Sequence, residues 1–436
     1  MDALEKSAMR KIYLRLLPFA FIAYSLCYID RINATFAGLT MRGDLGMSAS
    51  AYGFAVGTFY WGYFLFEVPS NIILEKFGAR LWIARIMITW GVLAALTAAS
   101  TGTTSFAIIR FLLGVAEAGF FPGMLLYFTY WFPARHHARI VSGILAGFVV
   151  AVAGGAPIST ALLSLEGLFN LRGWQIMYIA EGIPTVIVGV ATLFIMIDKP
   201  EQAKFLTPEE KAWLIAKLAS EHQAKEAVRR FGLWEGMFNA KVLLLALNYF
   251  GIVTASLGML FFIPQIIKSI GVTSNMTVGW LTMVPYICGG ISLVVWGRIS
   301  DQMKERRWNL LVACIVSTVG LVIAGLTMGS WWALVGMSIA AIGFYGSKGP
   351  FWAMPPMFLT GTAAAASLAW INSIGNLGGT VGPYYVGYMK DLTGNFAGGL
   401  YGLALLSLVA ALVCAFFLHI PAPVVDPHAK AAGARA

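Results

Sequence analysis

Five ionisable residues interrupt long apolar stretches of the sequence. Asp30 and Arg31 are adjacent in the first stretch, Arg110 and Glu117 share the fourth, and Lys348 lies in the tenth. Inserting such a charge into a bilayer costs about 2.5–3.5 kcal/mol, so the side chain usually faces a cavity or a partner. Each of the five is therefore a candidate functional residue.

The acids and the arginines among them suit different chemistry. Burial raises the pKa of a carboxyl in an apolar cavity, and a nearby arginine lowers it. Such a carboxyl can therefore be poised to bind and release a proton. An arginine keeps its charge and can hold a carboxylate through two hydrogen bonds. Two acids with two arginines therefore predict proton-coupled transport of a small organic anion.

Residue spacing indicates which of these groups share a cavity. Arg110 and Glu117 are seven residues apart, which places them on one helix face about 10.5 Å from each other. Asp30 and Arg31 are about 100° apart around a helix, so we expect them to contact different partners. The alternative is that the adjacent pair forms an ion pair at the membrane interface.

Structural roles compete with functional ones for Lys348 and for two further charges. Lys348 either supplies a positive charge to an anion site or extends toward the cytoplasmic interface, as a long lysine can. Glu67 is interpreted as a charge at a cytoplasmic helix end, and Glu181 as a group that orients helices.

The composition indicates a membrane protein. Of the 436 residues, 59% are hydrophobic and 11% are charged, and the mean hydropathy is +0.76, whereas about a quarter of a soluble domain is charged. A stretch of ~20 apolar residues is long enough to cross the hydrocarbon layer. The sequence therefore predicts an all-α polytopic membrane protein with twelve transmembrane helices, near residues 17–37, 50–72, 82–100, 105–130, 139–163, 176–196, 242–267, 277–297, 309–328, 332–356, 364–388 and 397–420.

The longest polar stretch divides the twelve spans into two sets of six. Most of the 30 basic residues lie on the side that holds the N-terminus, this stretch and the C-terminal tail. The positive-inside rule therefore predicts that both termini are cytoplasmic. The predicted domains are an N-terminal six-helix bundle, a cytoplasmic linker, a C-terminal six-helix bundle and a cytoplasmic tail, at 1–197, 198–241, 242–420 and 421–436.

The remaining composition argues against other classes of protein. The formal net charge of +10 follows from this topology rather than from a nucleic-acid surface. The four cysteines lie in predicted spans without metal-type spacing, and the sequence contains no HExxH, GxSxG or Walker pattern. We therefore predict no metal, no cofactor and no enzymatic activity. The first apolar stretch runs into Asp30 and Arg31 instead of a small-residue cleavage site, so we expect it to remain in the protein.

The loops after spans two and eight repeat one pattern. NIILEKFGAR (71–80) and GRISDQMKER (297–306) superimpose at an offset of 226 residues, as expected of a transporter built from two homologous halves. Both resemble the cytoplasmic motif Gly-x-x-x-Asp-(Arg/Lys)-x-Gly-x-(Arg/Lys) of the major facilitator superfamily, although the first copy has Asn71 for Gly and Glu75 for Asp. The resemblance implies two pseudo-symmetric bundles and a cytoplasmic gate. The alternative is that the charged residues of these loops only set the membrane topology. The gate residues would be Glu75, Arg80, Asp301 and Arg139.

Four further segments resemble the anion:cation symporters of that superfamily, which include tartrate-, phthalate- and galactonate-type carriers of bacteria. They are YIDRIN (28–33), GYFLFEVPSNIILEKFGAR (62–80), RFLLGVAEAGFFPG (110–123) and NSIGNLGGTVGP (372–383). The resemblance makes Asp30 and Glu117 the proton-binding acids. It also implies four substrate contacts, which are Arg31, Tyr63, Arg110 and Asn376. Two further candidates for substrate binding are Lys348 and Asn372.

These observations predict a monomeric symporter of the bacterial inner membrane that imports a carboxylate together with protons by alternating access. Tartrate, a sugar acid or an aromatic acid would each suit the predicted site, and the expected partners are that anion, protons and the lipid bilayer, without nucleic acid. The alternative is a proton-coupled exporter of a small organic compound. Exporters carry Gly-x-x-x-Gly-Pro-x-x-Gly-Gly in span five, whereas AVAGGAPISTALL (151–163) has Pro157 without that glycine register, which disfavours export.

Overall fold

Twelve helical segments that correspond to the predicted spans follow one another in the described part of the chain. The computed structural model describes residues 3–226, 238–303, 305–355 and 361–418, and within these ranges all regular secondary structure is helical. The segments overlap the twelve predicted spans and confirm the all-α polytopic class. They are α1 Ala3–Ala37, α2 Ala49–Phe77, α3 Ala79–Leu96, α4 Thr103–Glu117 continued by Phe120–Thr129, α5 Ala134–Leu163, α6 Gly173–Ile195, α7 Ala240–Leu260 continued by Ile263–Ser269, α8 Asn275–Met303, α9 Arg307–Leu326, α10 Trp331–Gly346 continued by Lys348–Ala353, α11 Gly361–Thr393 and α12 Ala397–Phe416.

Eight of these segments are long and apolar enough to cross a bilayer by composition alone. The other four are α2, α5, α10 and α11, and three of them pack across the middle of the molecule. There α2 packs against α11, and α5 packs against α8. These contacts join the first set of six helices to the second.

Three segments are interrupted, and the predicted spans were uninterrupted. In α4 the break follows Glu117: Ala118 adopts an extended ψ of 132°, and Gly119 has a φ of 86°. Glycine fits this left-handed conformation without steric cost, and a Cβ at Gly119 would also lie 2.4 Å from Ser70 Oγ. The interruptions in α7 and α10, at residues 261–262 and 347, are milder, because Phe261 and Ser347 keep right-handed helical φ and ψ angles. Of the charged candidates, Glu117 therefore lies directly before a sharp turn in its helix.

The first and second sets of six helices meet closely at one end. A Cβ at Gly53 of α2 would lie 2.2 Å from the carbonyl oxygen of Pro383 in α11. At the same end, Asp391 accepts hydrogen bonds from the backbone N–H groups of Ala49 at 3.0 Å and Ser50 at 2.7 Å. This end is opposite the basic loops and is therefore the outer side by the positive-inside rule. The described structure is closed toward the outside.

A helix of the polar linker, Pro208–Glu226, packs against the cytoplasmic part of α1. Its first turn is a capping box: the N–H of Thr207 donates to Glu210 Oε2 at 2.9 Å, and the N–H of Glu210 donates to Thr207 Oγ1 at 3.3 Å. Glu210 also accepts from Lys11 at 2.8 Å and from Ser7 at 2.6 Å. The predicted domain boundaries stay predictions, and the predicted tail, 421–436, lies outside the described residues.

Candidate functional site

A cavity of about 120 Å³ lies between the two sets of helices. The first set contributes side chains from α1, α2 and α5, and the second set contributes side chains from α7, α10 and α11. Three residues predicted from the sequence to bind substrate line it, namely Arg31, Lys348 and Asn376. The rest of the wall is mainly aromatic and aliphatic, including Tyr28, Tyr60, Phe148, Tyr249 and Tyr345.

Arg31 forms an ion pair with Glu117 beside this cavity. Its Nε donates to Glu117 Oε1 at 2.5 Å, and its second terminal nitrogen contacts the same oxygen. Glu117 is fully buried and also accepts a hydrogen bond from Cys27 Sγ at 3.1 Å. The Arg31 guanidinium lies 5.0 Å from the ring centroid of Tyr63, a further predicted contact. The structure thus brings Arg31, Glu117 and Tyr63 together.

Arg110 shares an aromatic neighbour with Arg31 but, unlike Arg31, forms no ion pair with a carboxylate among the described residues. Its guanidinium lies 5.0 Å from the centroid of Phe59, and that of Arg31 lies 5.4 Å from the same ring. Arg110 is buried, and its Nε and Nη1 have no hydrogen-bond partner among the described residues. Two buried donors are therefore available to an anion that reaches Arg110.

Asp30 faces away from Arg31, as predicted for adjacent residues on a helix. Its Oδ2 accepts from Trp90 Nε1 of α3 at 2.8 Å and from Thr185 Oγ1 of α6 at 2.9 Å. These partners place Asp30 inside the first six helices rather than on the cavity wall. The alternative of an interfacial Asp30–Arg31 ion pair is not observed in the described structure, because Arg31 pairs with Glu117.

Lys348 faces the cavity, in agreement with the functional interpretation of this residue. Its Nζ lies 4.6 Å from the centroid of Tyr345 and 4.9 Å from that of Phe148, which belongs to α5 in the first set. A cation over an aromatic face is stabilised by the ring quadrupole. Lys348 therefore lies where the two sets of helices meet instead of extending toward the cytoplasmic interface.

The α11 face beside the cavity carries both predicted asparagines. Asn372 lies one turn before Asn376 on this helix and is half-buried, but only Asn376 lines the cavity. Between them, Ser373 Oγ donates to Glu67 Oε2 of α2 at 3.4 Å. The interpretation of Glu67 as a helix-end charge was wrong, because α2 continues ten residues further, to Phe77. Glu67 instead joins the two sets of helices.

The four predicted gate residues lie on the cytoplasmic side of the described structure. Asp301 pairs with Arg306 at 2.6 Å, and the N–H of Arg80 donates to Asp198 at 2.8 Å. Arg139 lies 4.9 Å from the ring centroid of Tyr13, and Glu75 is exposed and lines a cytoplasmic pocket. Their role in a gate stays a prediction.

Several residues of the site were not predicted from the sequence. Cys27 lies one turn before Arg31, so helical spacing could have indicated its place beside Glu117. Phe59, Trp90 and Thr185 lie on other helices and carry no sequence signal for their contacts with Arg110 and Asp30.

Comparison with known proteins defines the class of this protein. The sequence profile of the Major Facilitator Superfamily matches residues 20–383. The chain belongs to this superfamily, and it is a multi-pass membrane transporter.

Individual relatives refine the comparison. The chain is 47% identical over 410 residues to a protein of Agrobacterium vitis named "Putative tartrate transporter", with 94% of this chain and 91% of the relative covered. It is 38% identical to a "Quinolone resistance transporter" of Acinetobacter baumannii, with 94% of each covered. The crystal structure of a D-xylose-proton symporter superimposes with a TM-score of 0.76 at 16% identity, covering 93% of this chain and 98% of that one. This last likeness concerns the fold alone.

Proposed function

We propose that this transporter imports a small organic anion, a carboxylate, together with protons. The observation that carries the proposal is the buried Arg31–Glu117 pair beside the central cavity. A substrate carboxylate and the Glu117 carboxylate compete for the same guanidinium donors. Protonation of Glu117 frees Arg31 for the substrate, and release of the substrate lets Glu117 ionise and pair with Arg31 again. This competition couples proton binding to anion binding.

The positions of the other cations support an anion in the cavity. Arg31 and Lys348 line it from opposite sets of helices, and Asn376 adds a side-chain donor from α11. An anion that contacts Arg31 and Lys348 together contacts both halves, as alternating access by rocking of two halves requires. Arg110 supplies its free donors at the Phe59 side of the site. Tyr63 and Asn372 complete the proposed substrate contacts.

Because the described structure is closed toward the outside, the proposed cycle begins with the opening of that side. When the carrier is open to the outside, Asp30 and Glu117 take up protons and the anion binds. After the halves rock, the site faces the cytoplasm, the anion leaves and the acids release their protons. A monomer suffices for this cycle, because one chain supplies both halves. We place the carrier in the bacterial inner membrane, where an inward proton gradient drives the cycle.

The test is uptake by the purified protein in proteoliposomes. Radiolabelled tartrate, galactonate and phthalate are presented with and without an imposed inward proton gradient. We expect gradient-stimulated accumulation of one acid, and an electrically neutral or positive cycle that acidifies the lumen. If no acid accumulates and none exchanges in counterflow, the proposal is wrong.

A second candidate function is export of a small organic compound in exchange for protons. It is favoured by the 38% identity to the protein named a quinolone resistance transporter. The same liposomes decide between the two: an exporter accumulates a fluorescent quinolone when the lumen is acid and leaves the carboxylates outside. Carboxylate uptake without quinolone movement excludes export.

A further inference from the structure

A second buried polar cluster lies inside the first six helices, away from the central cavity. Asp30 and Asn33 lie three residues apart on α1, and Glu181 and Thr185 lie four residues apart on α6. Residues at these spacings share one helix face. Asp30 is 1% exposed and Glu181 is 5% exposed. Two carboxyl groups are therefore enclosed between two facing helices.

Hydrogen bonds fix how the two faces align. Thr185 Oγ1 donates to Asp30 Oδ2 at 2.9 Å, so this face of α6 lies against Asp30. Glu181, one turn from Thr185, lies beside Asn33 and accepts a hydrogen bond from Ser159 Oγ of α5 at 2.6 Å. Residues one turn apart on a helix are separated by about 5–6 Å between Cβ atoms. The two carboxyls are thus about one helical turn apart.

The charges around the cluster do not balance two carboxylates. Neither Asp30 nor Glu181 has an ion-pair partner within the ranges that the structure describes. Among the described residues, the cation that acts on the cluster is Arg110 of α4, which interacts with Asp30 and with Tyr178.

The other elements packed against Glu181 add no charge of their own among the described residues. The titratable groups that face Glu181 are Asp30 from α1 and Tyr178 from its own helix. Ser159 of α5 contributes a neutral hydroxyl, and α3 contributes the backbone of Gly91 against Gly182.

This balance implies a bound proton. An unpaired carboxylate in a protein interior carries a penalty of several kcal/mol, and two nearby carboxylates disfavour each other's ionisation. Each acid also has one buried oxygen without a hydrogen-bond partner among the described residues, Asp30 Oδ1 and Glu181 Oε2. These oxygens are positions at which a proton can reside.

We propose that Glu181 is a third proton-binding group of the transport cycle and that it exchanges protons with Asp30. The inference rests on the proposed proton-coupled function. Glu181 lies one turn nearer the outer surface than Asp30, because α6 begins at that surface and α1 ends there. The Glu181 carboxyl passes its proton to the ionised Asp30 and becomes the carboxylate, which takes a new proton from the outside. The transfer moves one proton and leaves the charge of the pair unchanged.

Infrared spectroscopy tests the proton site without a substrate. The C=O stretching band of a protonated carboxyl is recorded as the purified protein in lipid is titrated from acid to alkaline pH. We expect Glu181→Gln and Asp30→Asn each to remove part of the band present near neutral pH. Glu209→Gln, an exposed carboxyl on the linker helix, should leave it unchanged. A Glu181→Gln titration identical to that of the wild type would overturn the proposal.

Transport by the same variants tests the exchange with Asp30. We expect Glu181→Gln to lower gradient-driven uptake about tenfold or more while counterflow stays within about twofold of wild type. Because the two acids act in series, Asp30→Asn with Glu181→Gln should be no slower than the slower single variant. Additive losses, or an equal loss of uptake and counterflow together with a lower unfolding temperature, would instead assign Glu181 a structural role. A wild type that neither accumulates nor exchanges any of the carboxylates would refute the proposed function, and the infrared titration would still decide the proton site.

Discussion

Arg31 and Arg110 border the same phenylalanine, but among the described residues only Arg31 forms an ion pair. Arg31 is neutralised by Glu117, whereas Arg110 keeps two buried donors without a partner among the described residues. An anion that binds Arg110 would therefore displace no protein carboxylate, whereas an anion that binds Arg31 must displace Glu117. At the scale of single residues, we propose separate roles for the two arginines: Arg110 attracts the anion, and Arg31 couples anion binding to the protonation of Glu117.

Arg110→Lys should abolish transport although the charge is retained. A lysine ammonium is a compact point charge and does not reproduce the planar fork that binds a carboxylate through two hydrogen bonds. We expect the transport kcat/KM to fall about 100-fold, a loss of the size seen when reacting groups are misplaced by ~1 Å. Arg172→Lys, on an exposed outer loop, is the matched control and should transport normally. Unchanged uptake by Arg110→Lys would remove this residue from the substrate site.

Glu117→Gln should separate transport from its driving force. Glutamine mimics the protonated acid, so Arg31 stays available to the anion while no proton is bound or released. Counterflow should continue, and accumulation driven by a proton gradient should be lost. Both are measured in the same proteoliposomes. Because removing one partner of a buried ion pair costs about 3–5 kcal/mol, the thermal unfolding of the variant is recorded as a control. Loss of substrate binding with normal coupling would contradict the assigned role.

At the scale of helices, irregular backbone places Glu117. The turn at Ala118 and Gly119 ends the first part of α4 directly after Glu117, whereas Ser347, before Lys348 in α10, keeps helical φ and ψ angles of −67° and −27°. Non-helical backbone within a membrane is tolerated where it is buried in protein or lines a cavity. The turn in α4 fits this rule, because Gly119 packs against Ser70 of α2.

The linker helix should loosen from α1 at acid pH. Burial raises the pKa of Glu210, but hydrogen bonds from Lys11, Ser7 and the Thr207 N–H lower it, and the net shift is downward from 4.5. A lowered pKa means that ionised Glu210 stabilises docking above pH 4.5 and that this contribution disappears as the pH falls through the lowered pKa. Amide hydrogen exchange in the linker helix, corrected for intrinsic rates, should therefore accelerate as the pH falls below the lowered pKa of Glu210.

Substitution supplies the control for that prediction. Glu210→Gln should show the faster exchange already at neutral pH, since it removes the charge that pairs with Lys11. Glu209→Gln, its exposed neighbour, should exchange like the wild type. Equal protection of the linker helix in Glu210→Gln and wild type would show that other contacts hold this helix.

At the scale of the whole molecule, the closed outer side is a seam of backbone contacts with few charges. Gly53 lets α2 approach the carbonyl of Pro383, and Asp391 caps the first turn of α2 from the other half. Such a seam can separate without breaking an ion pair, which suits a carrier that must open and close in every cycle. At the same time, the predicted gate residue Asp301 pairs with Arg306 of its own half.

A crosslink across the outer seam should stop transport. Ser50 Oγ and Asp391 Oδ2 are 2.5 Å apart, so Ser50→Cys with Asp391→Cys places two thiols at the seam. In a background without the four native cysteines, oxidation should lower uptake more than about tenfold, because the carrier cannot open outward. Reduction should restore it, and Ser50→Cys alone should be insensitive to oxidant. Full uptake by the oxidised pair would rule out opening at this seam.

Much of the fold was predictable because the bilayer imposes simple constraints. A chain in hydrocarbon must satisfy its backbone hydrogen bonds internally, so stretches of apolar residues specify helices, and the loops repeated at 71–80 and 297–306 specify two related halves. The cost of a buried charge likewise identified Asp30, Arg31, Arg110, Glu117 and Lys348 before any contact was known. Helical spacing correctly predicted that Asp30 and Arg31 have different partners.

Which charge meets which partner was decided by tertiary structure alone. Arg110 and Glu117 share a helix face, yet Glu117 pairs with Arg31 of another helix. Glu67 looked like a helix-end charge until the observed length of α2 placed it opposite Ser373. Thr185 and Glu181 acquire their relation to Asp30 only when α6 packs on α1. Periodicity in a sequence fixes the face of each helix on which a residue lies, but the rotation and depth at which two helices meet depend on the packing of all their neighbours.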